Sequence, residues 1–349
     1  MARDTLETVR LGVAGAGLAV RDLHWPAIHA LGARYQIVAL AARTDESLQK
    51  TGQLVGCDNY YHDYKEMIDA EKENLDAVLI SLPISMLYEG AEYAARAGLD
   101  VLCEKPVGQN LEEGKAFVEL PERYGVSVQI LENFRYRDDL QRARELIDDG
   151  AIGELYMIRI KSLSHTEPEM GGFAGKEWRQ KAEYKGGALL DGGVHHMAAF
   201  HVLAGSVARI GGVVTAVSEE YEGIDNALFT MLLENEAIGE YTFSYTAFED
   251  QDEYTFFEAR CYGTTGSLLI TDGTIRHITE EGEQEPLTFP NFDNGYYNEF
   301  LDFYEHKTEG KSLRVTPTEA FKDLHLLLSG LDAAKEGRVL DVNPGKHHS

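Results

Sequence analysis

The chain has 349 residues, of which 44% are hydrophobic, and its 59 acidic and 32 basic side chains give a formal net charge of −27. This length exceeds what one hydrophobic core usually holds, which predicts two domains, and an acidic surface repels nucleic acid and anionic lipid, which excludes both as expected partners. No apolar run approaches the ~20 residues of a membrane helix, and the N-terminus lacks the apolar segment of a signal peptide. Three separated cysteines indicate reduced thiols without a metal site. We therefore expect a soluble cytoplasmic protein.

The first third of the chain alternates strand and helix patterns. Short apolar runs typical of buried strands end at glycine or proline turns, and amphipathic stretches follow them. The predicted strands are 9–14, 37–42, 77–82, 101–103 and 127–131, and the predicted helices are 23–31, 45–55, 88–97 and 111–124. This βαβα order predicts an α/β Rossmann domain with a doubly wound parallel sheet over residues 1–134.

A glycine-rich turn follows the first predicted strand. Gly12, Gly15 and Gly17 lie between this strand and a helix, where glycines let the backbone turn sharply and approach a pyrophosphate at the helix N-terminus. Val20 occupies the third small position of the motif, where Gly or Ala is usual. Glycine turns without a ligand are common, so it is the strand–turn–helix setting that predicts dinucleotide binding.

The end of the second predicted strand bears on the choice of dinucleotide. NAD-binding proteins usually place Asp or Glu here to hold the ribose 2′-hydroxyl, whereas this chain has Arg43 and Thr44. An arginine pairs with a 2′-phosphate bidentately and a threonine hydroxyl donates a hydrogen bond to it, which favours NADP(H) over NAD(H). The alternative is that Arg43 is a solvated surface residue.

The tripeptide Glu104-Lys105-Pro106 follows the fourth predicted strand. It therefore lies at the carboxyl edge of the sheet, where nucleotide ligands bind. A lysine at this edge can donate to a substrate hydroxyl and to a nicotinamide ribose, and it can stabilise the oxyanion that forms during hydride transfer. A structural Lys–Glu pair is the alternative.

A predicted helix near the middle of the chain carries a candidate acid/base pair. Asp191 and His195 are four residues apart, and the apolar run 194–203 indicates a helix, which puts both side chains on one face. A carboxylate beside an imidazole holds the tautomer and raises the proton affinity of the ring. The alternative is that Asp191 only caps the helix. We expect His196 to be a packed or hydrogen-bonded neighbour and not a catalyst, and His201 to turn away from the reacting carbon.

The rest of the chain predicts a second domain, 135–349. After a helix over 139–147, short apolar or alternating runs between Gly, Asn and Asp turns predict an antiparallel sheet. These runs are 156–160, 210–217, 227–233, 238–246, 254–262 and 267–270. The alternating aromatic residues of 240–245 suit a subunit interface or, alternatively, an internal core face. Closing helices are predicted over 298–307 and 318–335, and we expect the second of them to pack back on the first domain.

These motifs together resemble the glucose-fructose oxidoreductase / inositol dehydrogenase / rhizopine catabolism (Gfo/Idh/MocA) family. Five matches occur in the family's order and spacing, and they are Gly15-Ala16-Gly17, His24-Trp25-Pro26, Glu104-Lys105-Pro106, Trp178-Arg179, and Gly186-Gly187 through Asp191, Gly193 and His195. The resemblance implies a Rossmann domain followed by an α+β domain with a large open, mostly antiparallel sheet. The exposed face of that sheet commonly packs against another subunit, so we expect a homodimer or homotetramer. The implied activity is oxidation or reduction of a sugar, polyol or related carbonyl with NAD(H) or NADP(H).

The resemblance also implies roles for single residues. Lys105 would contact substrate and nicotinamide ribose, His195 would exchange a proton with the reacting oxygen, and Asp191 would orient that pair and bind a substrate hydroxyl. Trp178 and Arg179 would lie near the cofactor, and Trp178 equally suits a core or interface anchor. The residues expected to contact the cofactor are Gly12, Gly15, Ala16, Gly17, Leu18, Ala19, Arg43, Thr44, Ser81, Leu82, Pro83, Glu104, Lys105, Asn133, Trp178 and Arg179.

The chain departs from the family pattern at three positions. Ile84 and Leu87 stand where the family usually has Asn and, soon after, His, so the polar grip on the adenosine side is reduced. Ala198 stands where many members have an Asp, three residues after the expected catalytic histidine. These departures leave the identity of the substrate open.

Other readings of the whole chain stay open at this point. Some relatives keep the nucleotide bound and cleave glycosides through a transient oxidation, and a cofactor-binding sensor without catalysis is a third possibility. The acidic side chains are spread along the chain, which fits either a host that accumulates salt or an ordinary acidic cytosolic protein. If the protein gained no stability in molar KCl, the explanation by a salt-accumulating host would be wrong.

Overall fold

The computed structural model describes residues 7–166, 172–173, 175, 180–181, 184–220, 222–248 and 257–342. The chain forms two compact units, which are Met1–Glu132 with Tyr296–Phe321 and Asn133–Gly295 with Lys322–Ser349. The predicted second domain, 135–349, thus included a segment that belongs to the first unit. The physical reason is that Phe300 and Phe303 are fully buried in the hydrophobic core of the first unit. Only the first residues of the predicted helix 318–335 are part of that unit.

A parallel sheet forms the centre of the first unit. Its strands are β1 (Val9–Ala14), β2 (Tyr35–Ala41), β3 (Tyr60–Tyr61), β4 (Ala77–Ile80), β5 (Asp100–Glu104) and β6 (Val128–Leu131), and the helices between them are α1 (Trp25–Ala30), α2 (Asp45–Val55), α3 (Tyr64–Glu71), α4 (Leu87–Arg96) and α5 (Leu111–Tyr124). The strand order is β3-β2-β1-β4-β5-β6, with every pairing parallel. This is the doubly wound order of dinucleotide-binding domains, and it confirms the predicted fold class.

Local side-chain signals explain why several of these helices begin and end where they do. Thr44, Asp63 and Asn110 each accept a hydrogen bond from a backbone N–H of the first helical turn, which is the N-cap arrangement. Helices α2 and α5 end at Gly56 and Gly125, whose φ values of 74° and 68° are left-handed. These two helices have the predicted bounds. Strand β3 and helix α3 were not predicted, and β3 is a two-residue strand that exists only through its pairing with β2.

An open, mostly antiparallel sheet forms the centre of the second unit. The elements after the first sheet are α6 (Asp138–Asp148), β7 (Leu155–Leu163), α7 (Ala188–Ala204), β8 (Val207–Thr215), β9 (Asn226–Leu233), β10 (Ile238–Ser244), β11 (Glu258–Gly263), β12 (Gly266–Thr271), β13 (Thr274–Thr279), β14 (Gly282–Glu283), β15 (Leu287–Thr288), α8 (Tyr296–Glu309), α9 (Pro317–Glu336) and β16 (Leu340–Asp341). Within the described ranges the sheet has ten strands in the order β14-β13-β12-β11-β7-β10-β9-β8-β16, and β15 pairs with β13. Only the β7–β10 pairing among these strands is parallel. The predicted open sheet is confirmed.

The two faces of this sheet have different surroundings. Helices α6 and α7 pack on one face, where Phe229, Tyr241 and Phe243 are fully or almost fully buried. The alternating aromatic residues of 240–245 therefore face the core of this unit. Of the two alternatives left by the sequence, a subunit interface and an internal core face, the structure shows the second. Apolar side chains on the opposite face remain exposed, among them Val213 at 63% and Ile238 at 57%.

Candidate functional site

The glycine turn after β1 is held tightly against both neighbouring strands. The N–H groups of Gly15 and Ala16 donate to the carbonyl oxygen of Ala41, at 2.9 and 3.0 Å, and that residue ends β2. Gly15 has a φ of +99°, and a Cβ atom built on it would lie 2.0 Å from the carbonyl oxygen of Ser81, just beyond β4. Only glycine fits at this position, because of both the φ angle and the missing space. β1 and β4 flank the point where the strand order reverses, which is where ligands bind in sheets of this kind.

The other two glycines of the motif have different surroundings. A Cβ atom on Gly12 would lie 2.8 Å from the side chain of Leu75, so Gly12 is required by packing within the unit. A Cβ atom on Gly17 would meet nothing closer than 3.8 Å. Gly17 thus borders open space, as expected of a position that a pyrophosphate approaches. Leu18 and Ala19 begin the helical turn that follows, and both are half-buried.

The residues after β2 and β4 lie at the same edge of the sheet. Arg43 and Thr44 are exposed, and the Thr44 hydroxyl accepts a hydrogen bond of 3.3 Å from a backbone N–H of α2. The segment Ser81, Leu82 and Pro83 is half-buried. Ile84 and Leu87, which replace the usual polar residues of the family pattern, are 2% and 0% exposed, so both side chains are buried within the unit.

Glu104 is supported by a buried histidine that the sequence analysis did not single out. His24 is fully buried, and its Nε2 atom lies 2.7 Å from Oε1 of Glu104. The other carboxylate oxygen of Glu104 accepts a hydrogen bond of 3.2 Å from the backbone N–H of Lys105. On its far side, the His24 ring has Nδ1 3.9 Å from the fully buried carboxylate of Glu299. The only sequence signal for this support was the motif His24-Trp25-Pro26, because the contact joins residues 80 positions apart.

The predicted acid/base pair lies on helix α7 of the second unit. Asp191 is 6% exposed and belongs to the first turns of the helix, whereas His195 one turn later is half-buried. The N-cap of the helix is Gly187, with a φ of 53°. The alternative role of Asp191 as the helix cap is therefore wrong, and the helical spacing places both side chains on one face.

Two glycine pairs make this local structure possible. Gly186 and Gly187 have φ values of +96° and +53°, which are the left-handed conformations of the turn before the helix. Gly192 lies so close to the sheet that a Cβ atom on it would be 2.9 Å from the Tyr245 hydroxyl oxygen. A Cβ atom on Gly193 would meet leucine side chains at 3.1 Å. The glycines of the 186–196 motif thus let α7 approach the sheet closely.

Both neighbouring histidines have structural partners, and a partner of this kind was expected for His196. His196 is buried, and its Nδ1 atom lies 2.8 Å from the hydroxyl of Tyr241. His201 Nδ1 lies 2.6 Å from Oδ1 of Asp323, and the same carboxylate accepts two hydrogen bonds from Arg135, at 2.8 and 2.7 Å. Burial alone would raise the pKa of Asp323, but the Arg135 guanidinium and His201 outweigh it and hold this pKa below its ordinary value.

The predicted site residues are divided between the two units. The glycine turn, Arg43 and Lys105 belong to the first unit, and Asp191 and His195 belong to the second. Asn133 also belongs to the second unit, where its side-chain amide donates to the carbonyl oxygen of Asn294 at 2.8 Å. Trp178 and Arg179 lie outside the described residues.

None of the helices in the described part of the chain is long and apolar enough to cross a membrane. The same residues contain no cluster of three or more His, Cys, Asp or Glu side chains suited to a metal ion.

Comparison with known proteins gives matches over most of the chain. The family profile described as an oxidoreductase family with an NAD-binding Rossmann fold matches residues 9–132, and the profile of the GFO/IDH/MocA C-terminal domain matches residues 140–269. A solved oxidoreductase of Thermotoga maritima is 32% identical, with a TM-score of 0.87 and coverage of 97% of this chain and 99% of that chain.

Two relatives come from Bacillus subtilis. The scyllo-inositol 2-dehydrogenase (NADP(+)) is 21% identical, with coverage of 97% of both chains. The scyllo-inositol 2-dehydrogenase (NAD(+)) is 24% identical, with coverage of 84% of this chain and 85% of that protein. Relatives thus include proteins named for each nicotinamide cofactor.

Proposed function

Since the chain belongs to the GFO/IDH/MocA family of oxidoreductases, we propose that it transfers a hydride between NADP(H) and a CH–OH group, or the corresponding carbonyl, of a sugar or polyol. The observation that carries this proposal is the Asp191–His195 pair on one face of α7, in a chain whose first unit has a dinucleotide-binding turn. A carboxylate and an imidazole at this spacing can move the proton that accompanies hydride transfer.

The first unit offers the features that a dinucleotide requires. The open space at Gly17 and the helical turn beginning at Leu18 suit a pyrophosphate, because the first N–H groups of a helix have no partner within the helix and can donate to phosphate oxygens. A nicotinamide dinucleotide, when bound there, supplies or accepts the hydride. Ala19 and the segment 81–83 border this turn or the adjacent strand end and would line the same site. Ala16, also expected at the cofactor, is fully buried, and its N–H and carbonyl groups are bonded to Ala41 and Thr51.

The side chains of this protein would handle the proton and the orientation of the substrate. His195 takes the proton from the reacting hydroxyl during oxidation and returns it during reduction, with Asp191 stabilising the charged ring. Lys105 donates to the reacting oxygen and stabilises the negative charge that develops on it. Glu104, held by His24 on one oxygen and by the Lys105 backbone on the other, fixes the chain at this point. The proposal requires Lys105 and His195 to act on one substrate.

The preference for NADP(H) rests on the end of β2. Arg43 is exposed there and no acidic side chain occupies the position that usually binds a ribose 2′-hydroxyl. A guanidinium at this point would pair with a 2′-phosphate through two parallel hydrogen bonds. Relatives named for NADP and for NAD both occur, so the proposed preference for NADP(H) depends on the residues at this strand end alone.

We also propose that the protein is cytoplasmic and forms a homodimer or homotetramer. Its three cysteines are free thiols that lie buried, which suits a reducing compartment. The exposed face of the second sheet carries Val213, Leu228, Leu232 and Ile238 as large apolar residues. Cover by a second copy would remove this apolar surface from water. Light scattering of the purified protein measures the assembly directly.

A substrate screen tests the proposed activity. The purified protein is incubated with NADP⁺ or NAD⁺ and a panel of scyllo-inositol, myo-inositol, free aldoses and glycosides. Absorbance of the reduced nicotinamide and release of free sugar are both followed. We expect steady reduction with at least one compound and a higher kcat/KM with NADP⁺. Sugar release from a glycoside without net reduction would contradict the proposal in favour of a hydrolase. Tight NADPH binding without turnover on the whole panel would contradict it in favour of a sensor.

A further inference from the structure

The His195 imidazole lies against the ring of Phe134. The two ring centroids are 4.9 Å apart and the ring planes are only 22° from parallel. Phe134 is 3% exposed and belongs to the short helical turn Asn133–Tyr136, which packs against α7. Parallel rings at this distance attract each other, and they also restrict each other's rotation.

Phe134 is itself fixed by charged and aromatic neighbours. The guanidinium carbon of Arg137 lies 4.6 Å from the centre of the Phe134 ring and 4.7 Å from that of Phe257. Arg137 donates two hydrogen bonds to the Asp139 carboxylate, at 3.0 and 2.7 Å, and both side chains are fully buried. Phe257 meets Phe134 edge-on, with centroids 5.2 Å apart and an interplanar angle of 88°. The buried Asp139 carboxylate fixes the Arg137 guanidinium. Because this guanidinium lies over the Phe134 ring, that ring has little freedom to rotate.

The backbone that carries Phe134 is held as well. The Asn133 side chain donates to the carbonyl oxygen of Asn294 at 2.8 Å. Gly295 has a φ of +89°, and a Cβ atom on it would lie 2.4 Å from the Asn133 carbonyl oxygen. The chain at 294–295 therefore lies directly against the turn that contains Phe134 and restrains its backbone.

These contacts bear on how His195 works. The helical spacing from Asp191 sets which side of α7 the imidazole occupies, but the side chain retains rotation about its second torsion angle, which is broad for histidine. A fixed flat surface restricts that rotation. We propose that Phe134 is a positioning residue for His195, which sets the plane of the imidazole for proton transfer. This inference rests on the proposed function, since it assigns Phe134 to the same site.

Substitutions at Phe134 test the inference in the full-length protein. F134L keeps an apolar side chain but removes the flat surface, whereas F134Y keeps it. With the compound that reacts fastest in the screen, we expect F134L to lower kcat by about tenfold or more, because misplacement by ~1 Å can cost about a hundredfold. We expect F134Y to retain most of kcat, and the KM for NADP⁺ to stay within about twofold for both. F229L, at another fully buried phenylalanine of the same unit, is the matched control for loss of core packing and should keep its kcat.

The outcomes of this comparison are distinct. A kcat of F134L within about twofold of the unsubstituted protein would overturn the inference, and so would equal losses in F134L and F134Y or in F134L and F229L. H195Q is measured alongside. If H195Q loses activity while F134L does not, the inference fails and the proposed function stands. If H195Q keeps full activity, the proposed role of His195 fails.

A spectroscopic measurement tests the stacking without any substrate or change at Phe134. The ring protons of the 12 histidines are observed by NMR in histidine-labelled protein, and the His195 signals are identified by their loss in H195Q. Protons over the face of an aromatic ring are shielded, so we expect the His195 signals upfield of their position in urea-unfolded protein. Signals at the unfolded position in the native protein would overturn the inference.

Discussion

Replacing Gly15 by alanine, G15A, puts a methyl group where the structure leaves no room for one. The added Cβ atom would lie 2.0 Å from the Ser81 carbonyl oxygen, and the φ of +99° is unfavourable for any residue with a side chain. Left-handed strain costs about 1–2 kcal/mol, and a backbone shift that relieves the overlap costs about 1–3 kcal/mol. We therefore expect G15A to lower the free energy of unfolding by about 2–5 kcal/mol.

Gly17, two residues later, provides the matched control. A Cβ atom there would meet no atom closer than 3.8 Å, so G17A should change the free energy of unfolding by less than about 1 kcal/mol, within the range of ordinary glycine substitutions. The same methyl group would occupy the space that a pyrophosphate needs. We therefore expect G17A to weaken NADPH binding by roughly tenfold or more, which corresponds to about 1.4 kcal/mol.

Urea-induced unfolding and NADPH titration followed by nucleotide fluorescence measure the two effects separately. Stability loss in G17A as large as in G15A would show that Gly17 serves packing, contrary to the geometry. Normal NADPH affinity in a folded G17A would show that the dinucleotide does not approach this turn. Either result would refute the division of roles between the two glycines.

Three further substitutions have defined outcomes. H195Q should lower kcat by roughly a hundredfold or more without changing NADPH affinity, because it removes the acid/base group; steady-state kinetics and titration check this, and an unchanged rate contradicts it. R43S should raise the KM for NADP⁺ roughly tenfold and leave that for NAD⁺ nearly unchanged, since hydrogen bonds to charged groups contribute about 1.5–3 kcal/mol; K50S, which removes an exposed cation of the next helix, is the control and should change neither. Asp323 has a pKa below its ordinary value because Arg135 and His201 outweigh the effect of burial. Its contribution to stability is therefore present at neutral pH and is lost as the pH falls through the folded-state pKa, below the ordinary 3.8. D323N should flatten the acid limb of a stability–pH curve, and an unchanged acid limb would contradict the assignment.

The helices whose first and last residues were predicted correctly have capping residues at both ends. Helices 45–55 and 111–124 are bounded by a capping Thr44 or Asn110 and by glycines in left-handed conformation, and these preferences act locally. The segment Tyr296–Phe321 was assigned to the wrong unit. Its helical pattern was recognised, but an amphipathic pattern does not indicate which core will bury the apolar face.

The same distinction applies to the candidate site. Asp191 and His195 could be proposed as a pair because a spacing of four residues on a helix is readable from the sequence, and the structure places both on helix α7. The contacts of His24 with Glu104 and of Phe134 with His195 were not predicted, because each joins residues distant in the chain, 80 positions apart in the case of His24 and Glu104. No local pattern encodes such contacts. Side chains that hold functional residues in place are thus the part of a site that needs coordinates.

The return of Tyr296–Phe321 to the first unit has a consequence for biosynthesis. Phe300 and Phe303 complete a core whose other members come from the beginning of the chain, and the ribosome makes them only after all of residues 133–295. The core of the nucleotide-binding unit can therefore be completed only late in translation. A fragment that stops at residue 132 would leave part of this apolar core uncovered. Neither half of this protein is a contiguous piece that could be excised by cutting the gene once.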